Sequence, residues 1–203
     1  IRESWRPLVT ERLRSYMNII VKPYGSDLCY CRPDTTWERE NRDFYSPECV
    51  NKVMWAPVIF ARISKAGKCI GTKFASRYYD AVGCGMLMYG GNNEIAFTSC
   101  IDHTSILPSP MYNPVVFDEQ KTLNVEFRHP DGTSEQSNIT LDNVKVILEE
   151  ALCKASQLTS LRIGDYMAVE LAPLALLAEK SAGEVSIKGT FCENEIFGFK
   201  IIF

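Results

Sequence analysis

Charge of one sign is scarce in this chain: 22 Lys and Arg stand against 25 Asp and Glu, a formal net charge of −3. So small an imbalance gives no electrostatic ground for a nucleic-acid partner or an anionic membrane surface. Long hydrophobic runs are missing too. None approaches the roughly 18 apolar residues that a transmembrane helix needs, so no membrane partner is expected. Residues 1–14, IRESWRPLVTERLR, are polar and basic and lack the apolar stretch of a signal peptide. The chain does not open with Met, so upstream residues are expected. Histidine is reduced to His103 and His129. Eight cysteines are present, at 29, 31, 49, 69, 84, 100, 153 and 192, but they form no C-x-x-C. Cys29 and Cys31 make a C-x-C pair whose thiols share one face of a strand. Neither histidine lies nearby, so a structural zinc site is not expected. The cysteines read as small buried hydrophobes in a reducing compartment, which predicts a cytoplasmic protein.

What remains is enough for a core. The 203 residues are 46% hydrophobic and 23% charged, an ordinary balance for one globular domain. No repeat, low-complexity tract or composition break marks a linker. Apolar positions at Leu8, Leu13, Tyr16, Met17 and Ile20 predict a helix over 4–21, with Pro7 in its first turn. LCYC (28–31) reads as a short strand stopped at Arg32-Pro33, and DTTWERENRDF (34–44) as a charged loop. VMWAPVIFARISKAGKCI (53–70) reads as a hairpin turning at Lys-Ala-Gly-Lys, followed by a helix over FASRYYDAV (74–82) that Gly83 and Gly85 end. A Pro-rich loop at 107–114 leads to a second hairpin, turning at Pro-Asp-Gly between alternating strands. LDNVKVILEEALCKASQL (141–158) is the clearest helix: Asp142 or Asn143 can cap it, and Val146, Ile147, Ala151 and Leu152 line one face. LRIGDYMAVEL (161–171) is a Gly-Asp turn into an apolar strand, and two β-rich runs close the chain.

This order resembles the fumarylacetoacetate hydrolase family. Four segments carry the likeness: RISKAGKCIGTKFASRYYDAVGCG (62–85), DGTSEQSNITLDNVKVI (131–147), SLRIGDYM (160–167) and CRPD (31–34). They are similar, in turn, to the family's strand-turn-helix leading to its Gly-x-Asp stretch, its G-x-x-x-Q hairpin with the following helix, its L-x-x-G-D-x-I, and its K-P segment. The resemblance implies an α+β, mainly β architecture: a β-roll of mixed sheets with a few short helices over 26–203, preceded by a helical N-terminal segment at 1–25. It also implies a divalent-metal hydrolase or decarboxylase of acylpyruvate-type substrates, holding Mg2+, Mn2+ or Ca2+ with an E-x-E pair on a strand and a later Asp. The chemistry explains the pattern, because a hard cation wants carboxylate oxygens and alternate strand residues project two of them to one side.

The sequence departs from that pattern where the metal would sit. Counting back from Arg62-Ile63-Ser64, the E-x-E positions fall at Ala56 and Val58; counting on from Tyr79-Asp80-Ala81-Val82, the Asp position falls near Leu87. VMWAPVIFA (53–61) holds no carboxylate in any register. The family's N-terminal His-Glu base has no counterpart, since no histidine occurs in the first hundred residues. Its Lys falls near Ser99, although Asp102 survives, and its T-G-T-P loop reads VELAP (169–173). Like charges about 4 Å apart repel by about 4 kcal/mol at an effective dielectric near 20, which bound metal offsets in an active site. Ala, Val and Leu remove that repulsion together with the metal.

The expectation is therefore a degenerate member with no cofactor, serving a binding or assembly role as a homodimer or as partner of an active paralogue. The alternatives are a rearranged active site, with Asp102, His103, Cys84 and Glu170 as its candidate residues, or a small-molecule binding protein. Cys84 sits in a Gly-Cys-Gly turn without a positive partner beside it in sequence, and Glu170 interrupts an apolar strand.

Overall fold

The architecture is built on strands. The computed structural model describes residues 17–91 and 95–203. In chain order the strands are β1 (Ile19–Lys22), β2 (Tyr30–Arg32), β3 (Trp37–Glu38), β4 (Phe44–Tyr45), β5 (Lys52–Ile63) and β6 (Tyr79–Gly90). β7 (Ser105–Ile106), β8 (Lys121–Arg128), β9 (Ser134–Leu141) and β10 (Tyr166–Glu170) follow, then β11 (Ala175–Glu179), β12 (Val185–Phe191) and β13 (Asn194–Ile202). The helices are the short α1 (Ile95–Thr98) and the long α2 (Val144–Leu158). Among the described residues the strands form two mixed sheets. One runs β2-β1-β10-β5-β6-β7-β3, with β11 also on β5; the other runs β4-β13-β12-β8-β9. The expected α+β, mainly β fold of mixed sheets is what the chain adopts. No helix among the described residues is long and apolar enough to cross a membrane.

β5 is the centre of the first sheet. It pairs with β6 along one edge; the other edge takes β10 from Val58 to Arg62 and β11 from Lys52 to Trp55. From Trp55 to Ala61 every side chain is buried. Alternate residues serve different cores, as the two-residue period of a strand requires. Val53, Trp55, Ile59, Ala61 and Ile63 join the large core with the second sheet and α2. Val58 and Phe60 join a smaller core on the opposite face, with Leu87, Tyr89, Tyr166 and Ala168. A strand covered on both faces reads as a continuous apolar run. The dryness of 53–61 is thus a consequence of central position, whatever its chemistry.

Several expectations differ from what is observed. The cysteines are not buried as a set: Cys84 and Cys153 are, but Cys31, Cys49, Cys69, Cys100 and Cys192 are exposed. The hairpin expected within 53–70 does not close there: β5 runs to Ile63 and finds its antiparallel partner in β6, after a connection with a bridge from Gly67 to Leu161 and a 3-10 turn at Thr72–Arg77. The helix expected over 74–82 is that turn followed by the start of β6. Burial on both faces removed the alternation that signals a strand, and Phe-Ala-Ser-Arg supplied helix formers ahead of it. Most of the helix expected over 4–21 lies outside the described residues, but its last positions belong to β1. β1 sits inside the sheet between β2 and parallel β10, so a boundary after residue 25 would cut through the sheet. Ile-Ile-Val, β-branched throughout, explains the strand.

α2 occurs where expected. Its buried face is Val144, Leu148, Ala151, Leu152 and Ala155, and Val146 is exposed. Asn143 stands at its N-cap in the left-handed region, without a side-chain capping bond. The β8–β9 hairpin turns at Pro-Asp-Gly as expected, with Gly132 at φ 85° and the Asp131 carboxylate accepting from Thr133 N at 2.8 Å.

The smaller core is closed by β7 and the Pro-rich loop after it. A Cβ on Gly85 would collide with the carbonyl oxygen of Ile106 and press on Pro108, whereas one on Gly71 would meet nothing nearer than Phe74 at 4.0 Å. Gly85→Ala is therefore expected to cost about 2 kcal/mol or more, and Gly71→Ala to stay within about 0.5 kcal/mol. Urea denaturation of the two variants checks the contrast.

Candidate functional site

β5 and β6 place Ala56 on the same face of the sheet as Val58 and Leu87, which belong to the smaller core. Ala56 pairs directly with Leu87 across β5 and β6, and Val58, two residues on, pairs with Gly85 on one side and Glu170 on the other. All three hydrocarbon side chains are inaccessible to solvent. Directly opposed residues share a face of the sheet, so Glu170 also points into this core, where it is 7% exposed.

Glu170 is held by a directed chain of hydrogen bonds. Its Oε2 accepts from the backbone N–H of Tyr24 at 3.0 Å, and its Oε1 accepts from the hydroxyl of Tyr89. Because the single Tyr89 proton goes to Glu170, the 2.6 Å contact between the Tyr30 and Tyr89 hydroxyls must be donated by Tyr30. The order is Tyr30 to Tyr89 to Glu170. Burial raises the pKa of both phenols, Tyr30 to about 12, so both remain protonated donors. Aligned donors of this kind polarise one another.

Arg32 completes the group. It is 1% exposed, and its guanidinium lies over the Tyr89 ring, 4.8 Å from the centroid. Nε donates to Ser99 O at 2.7 Å; Nη2 donates to Met88 O at 2.8 Å and to Thr104 Oγ1 at 2.7 Å. Nη1 is buried and has no hydrogen-bond partner among the described residues. Burial lowers the pKa of Arg32, opposed by the nearby Tyr89, Tyr30 and Glu170, yet a guanidinium keeps its proton in a protein. The core therefore encloses one cation and one carboxylate, with an aromatic ring between them.

Of the remaining sequence candidates, His103 is the one with an informative setting. Its Nδ1 lies 2.9 Å from Glu38 Oε2; Glu38 is 4% exposed and the imidazole about half exposed. Glu38 Oε1 also accepts from Glu40 N at 2.6 Å. His103 sits at φ 60°, and its backbone N–H donates to Thr35 O at 3.2 Å. Asp102 is exposed beside it. Cys84 lies in the large core on the other face of the sheet, where burial pushes its thiol well above the ordinary range, opposite to the depression a nucleophile needs. The structure thus brings Ala56, Val58, Leu87 and Glu170 together and leaves Cys84 apart from them. Sequence reasoning missed Tyr30, Arg32, Tyr89 and Glu38. Arg32 before Pro33 was a visible signal, a cation ending an otherwise uncharged strand; Glu38 was hidden in a charged run.

No protein-family model matches the sequence, and no curated protein matches it. Solved structures do. Fumarylpyruvate hydrolase from Pseudomonas aeruginosa, in complex with Mn2+ and pyruvate, superposes with a TM-score of 0.72 at 12% identity, over 93% of this chain and 90% of that one. The fold is that of the fumarylacetoacetate hydrolase family. The 5-carboxymethyl-2-hydroxymuconate delta-isomerase from Mycobacterium smegmatis matches at TM-score 0.69 and 11% identity, over 92% and 79% of the two chains. Maleylpyruvate hydrolase from Sphingobium sp. SYK-6 matches at 0.67 and 14%, over 92% and 70%.

A metal such as the Mn2+ of the pseudomonad structure does not fit the residues of this face. A hard divalent cation takes about six oxygen ligands. Ala56, Val58 and Leu87 offer none, the phenols stay protonated, and Glu170 is a single carboxylate already accepting two hydrogen bonds. Among the described residues no group of three or more His, Cys, Asp and Glu could hold a metal ion.

The chain of phenols sets an energetic order. Tyr89→Phe strips Glu170 of a donor and Tyr30 of its acceptor inside the core, and is expected to cost about 1–3 kcal/mol. Tyr30→Phe removes one donor from a Tyr89 oxygen that keeps its own bond, at about 0.5–1.5 kcal/mol. Urea midpoints with unchanged slopes test that order.

Proposed function

We propose that this chain is a fumarylacetoacetate-hydrolase-fold protein of the cytoplasm that carries out no metal-dependent hydrolysis. It serves a binding or assembly role, as a homodimer or beside an active paralogue. The observation that carries this reading is the set of hydrocarbon side chains at Ala56, Val58 and Leu87, which share one sealed face of the sheet. A carboxylate at any of these positions would need compensation, and Glu170 alone supplies none. Purified protein dialysed against Mg2+ or Mn2+ is expected to retain substoichiometric metal and to leave an acylpyruvate uncleaved. Stoichiometric metal, or cleavage abolished by a chelator, would refute the reading.

A second reading, a rearranged active site, is favoured by the contact between Glu38 and His103. A buried carboxylate that orients a half-exposed imidazole is the arrangement a general base requires. Under that reading the protein cleaves an acylpyruvate in the presence of a chelator, and His103→Asn lowers the rate by roughly 10²-fold. Chelator-resistant turnover that survives in His103→Asn excludes it.

A further inference from the structure

A cleft of about 800 Å³ opens beside the His103–Glu38 pair. It shares no lining residue with the Ala56, Val58 and Leu87 face, so what it binds is independent of whether that face holds metal. Its lining includes Phe44 and Tyr45 of β4 together with Phe97, Ile101 and His103. Phe44 is buried, whereas Tyr45 is 71% exposed and Phe97 60% exposed. Two large apolar rings held open to solvent around a concave site are what a flat aromatic ligand needs.

The polar groups limit the ligand further. An ionised Glu38 carboxylate can only accept, so in the neutral ring of His103 the proton sits on Nδ1 and Nε2 carries a lone pair. Nε2 makes no hydrogen bond to a described residue, in a ring that lines the cleft. The site therefore asks its ligand for a donor. The lining also holds the carboxylates of Asp43 and Asp102 and the guanidinium of Arg42, and Arg42 is already engaged by Glu40. The local field is acidic and disfavours an anion.

We propose that this cleft binds small aromatic compounds bearing a hydroxyl donor and a neutral or cationic side chain, with the ring between Tyr45 and Phe97 and the hydroxyl on His103 Nε2. Such a ligand differs in charge from the oxo-acid anion that accompanies Mn2+ in the pseudomonad structure.

Titration calorimetry of the full chain with four matched probes tests it. Tyramine and 4-ethylphenol are expected to bind saturably. Phenethylamine, which lacks the hydroxyl, and 4-hydroxyphenylacetate, which carries a carboxylate, are each expected to bind roughly three- to tenfold more weakly than tyramine. His103→Asn, chosen because Asn tolerates a left-handed backbone, should weaken tyramine by a similar factor and leave phenethylamine unchanged. Tyr45→Ser, at an exposed position, should weaken all four. Absence of saturation at millimolar tyramine overturns the proposal. So does equal binding of phenethylamine, equal binding of 4-hydroxyphenylacetate, or an undiminished tyramine affinity in both variants when their melting temperatures match the parent.

Discussion

The central strand β5 is held on both edges and both faces at once, and the rest of the structure is arranged to satisfy it. β6 covers one edge over nearly its whole length, and β10 and β11 divide the other. Trp55, Ile59 and Ala61 belong to the large core with α2 and the second sheet, and Val58 and Phe60 to the smaller core. A charge at any interior position would be desolvated completely, with no water to share the cost. Here Ala56, Val58 and Leu87 fill one face with hydrocarbon, and no such cost arises.

The smaller core has not become uniformly apolar. Glu170, Tyr89, Tyr30 and Arg32 keep one negative and one positive group inside it, separated by phenols that only donate in one direction. Such an arrangement carries little net charge, and each member depends on the next for its proton or its field. Arg32 adds a mechanical role: its bonds to Met88 O, Ser99 O and Thr104 Oγ1 tie the edge strand β2 to β6 and to the segment that presents His103. The buried core and the open cleft are thus physically joined through one side chain.

How much of this was legible in the sequence depends on where each residue points. The β8–β9 hairpin declared itself because one of its faces is solvated and Pro-Asp-Gly marks its turn. α2 did so through the spacing of Val144, Leu148, Ala151 and Ala155, although its exposed Val146 shifted the inferred face. β6 did not, since Val82, Cys84, Met86 and Met88 face one core while Leu87 and Tyr89 face another, leaving no polar alternation to read. The convergence of positions 56, 58 and 87 came from the family resemblance and from the two-residue period of strands. The His103–Glu38 contact joins residues 65 apart in the chain, and no local spacing encodes it.

The parallel pairing of β1 with β10 fixes a timetable as well as a shape. β2 follows within ten residues and covers one edge of β1, but the other edge lies against Tyr166–Val169, so it stays unpaired until most of the polypeptide has been synthesised. Closing that edge is a contact of long sequence separation, the slow kind to form.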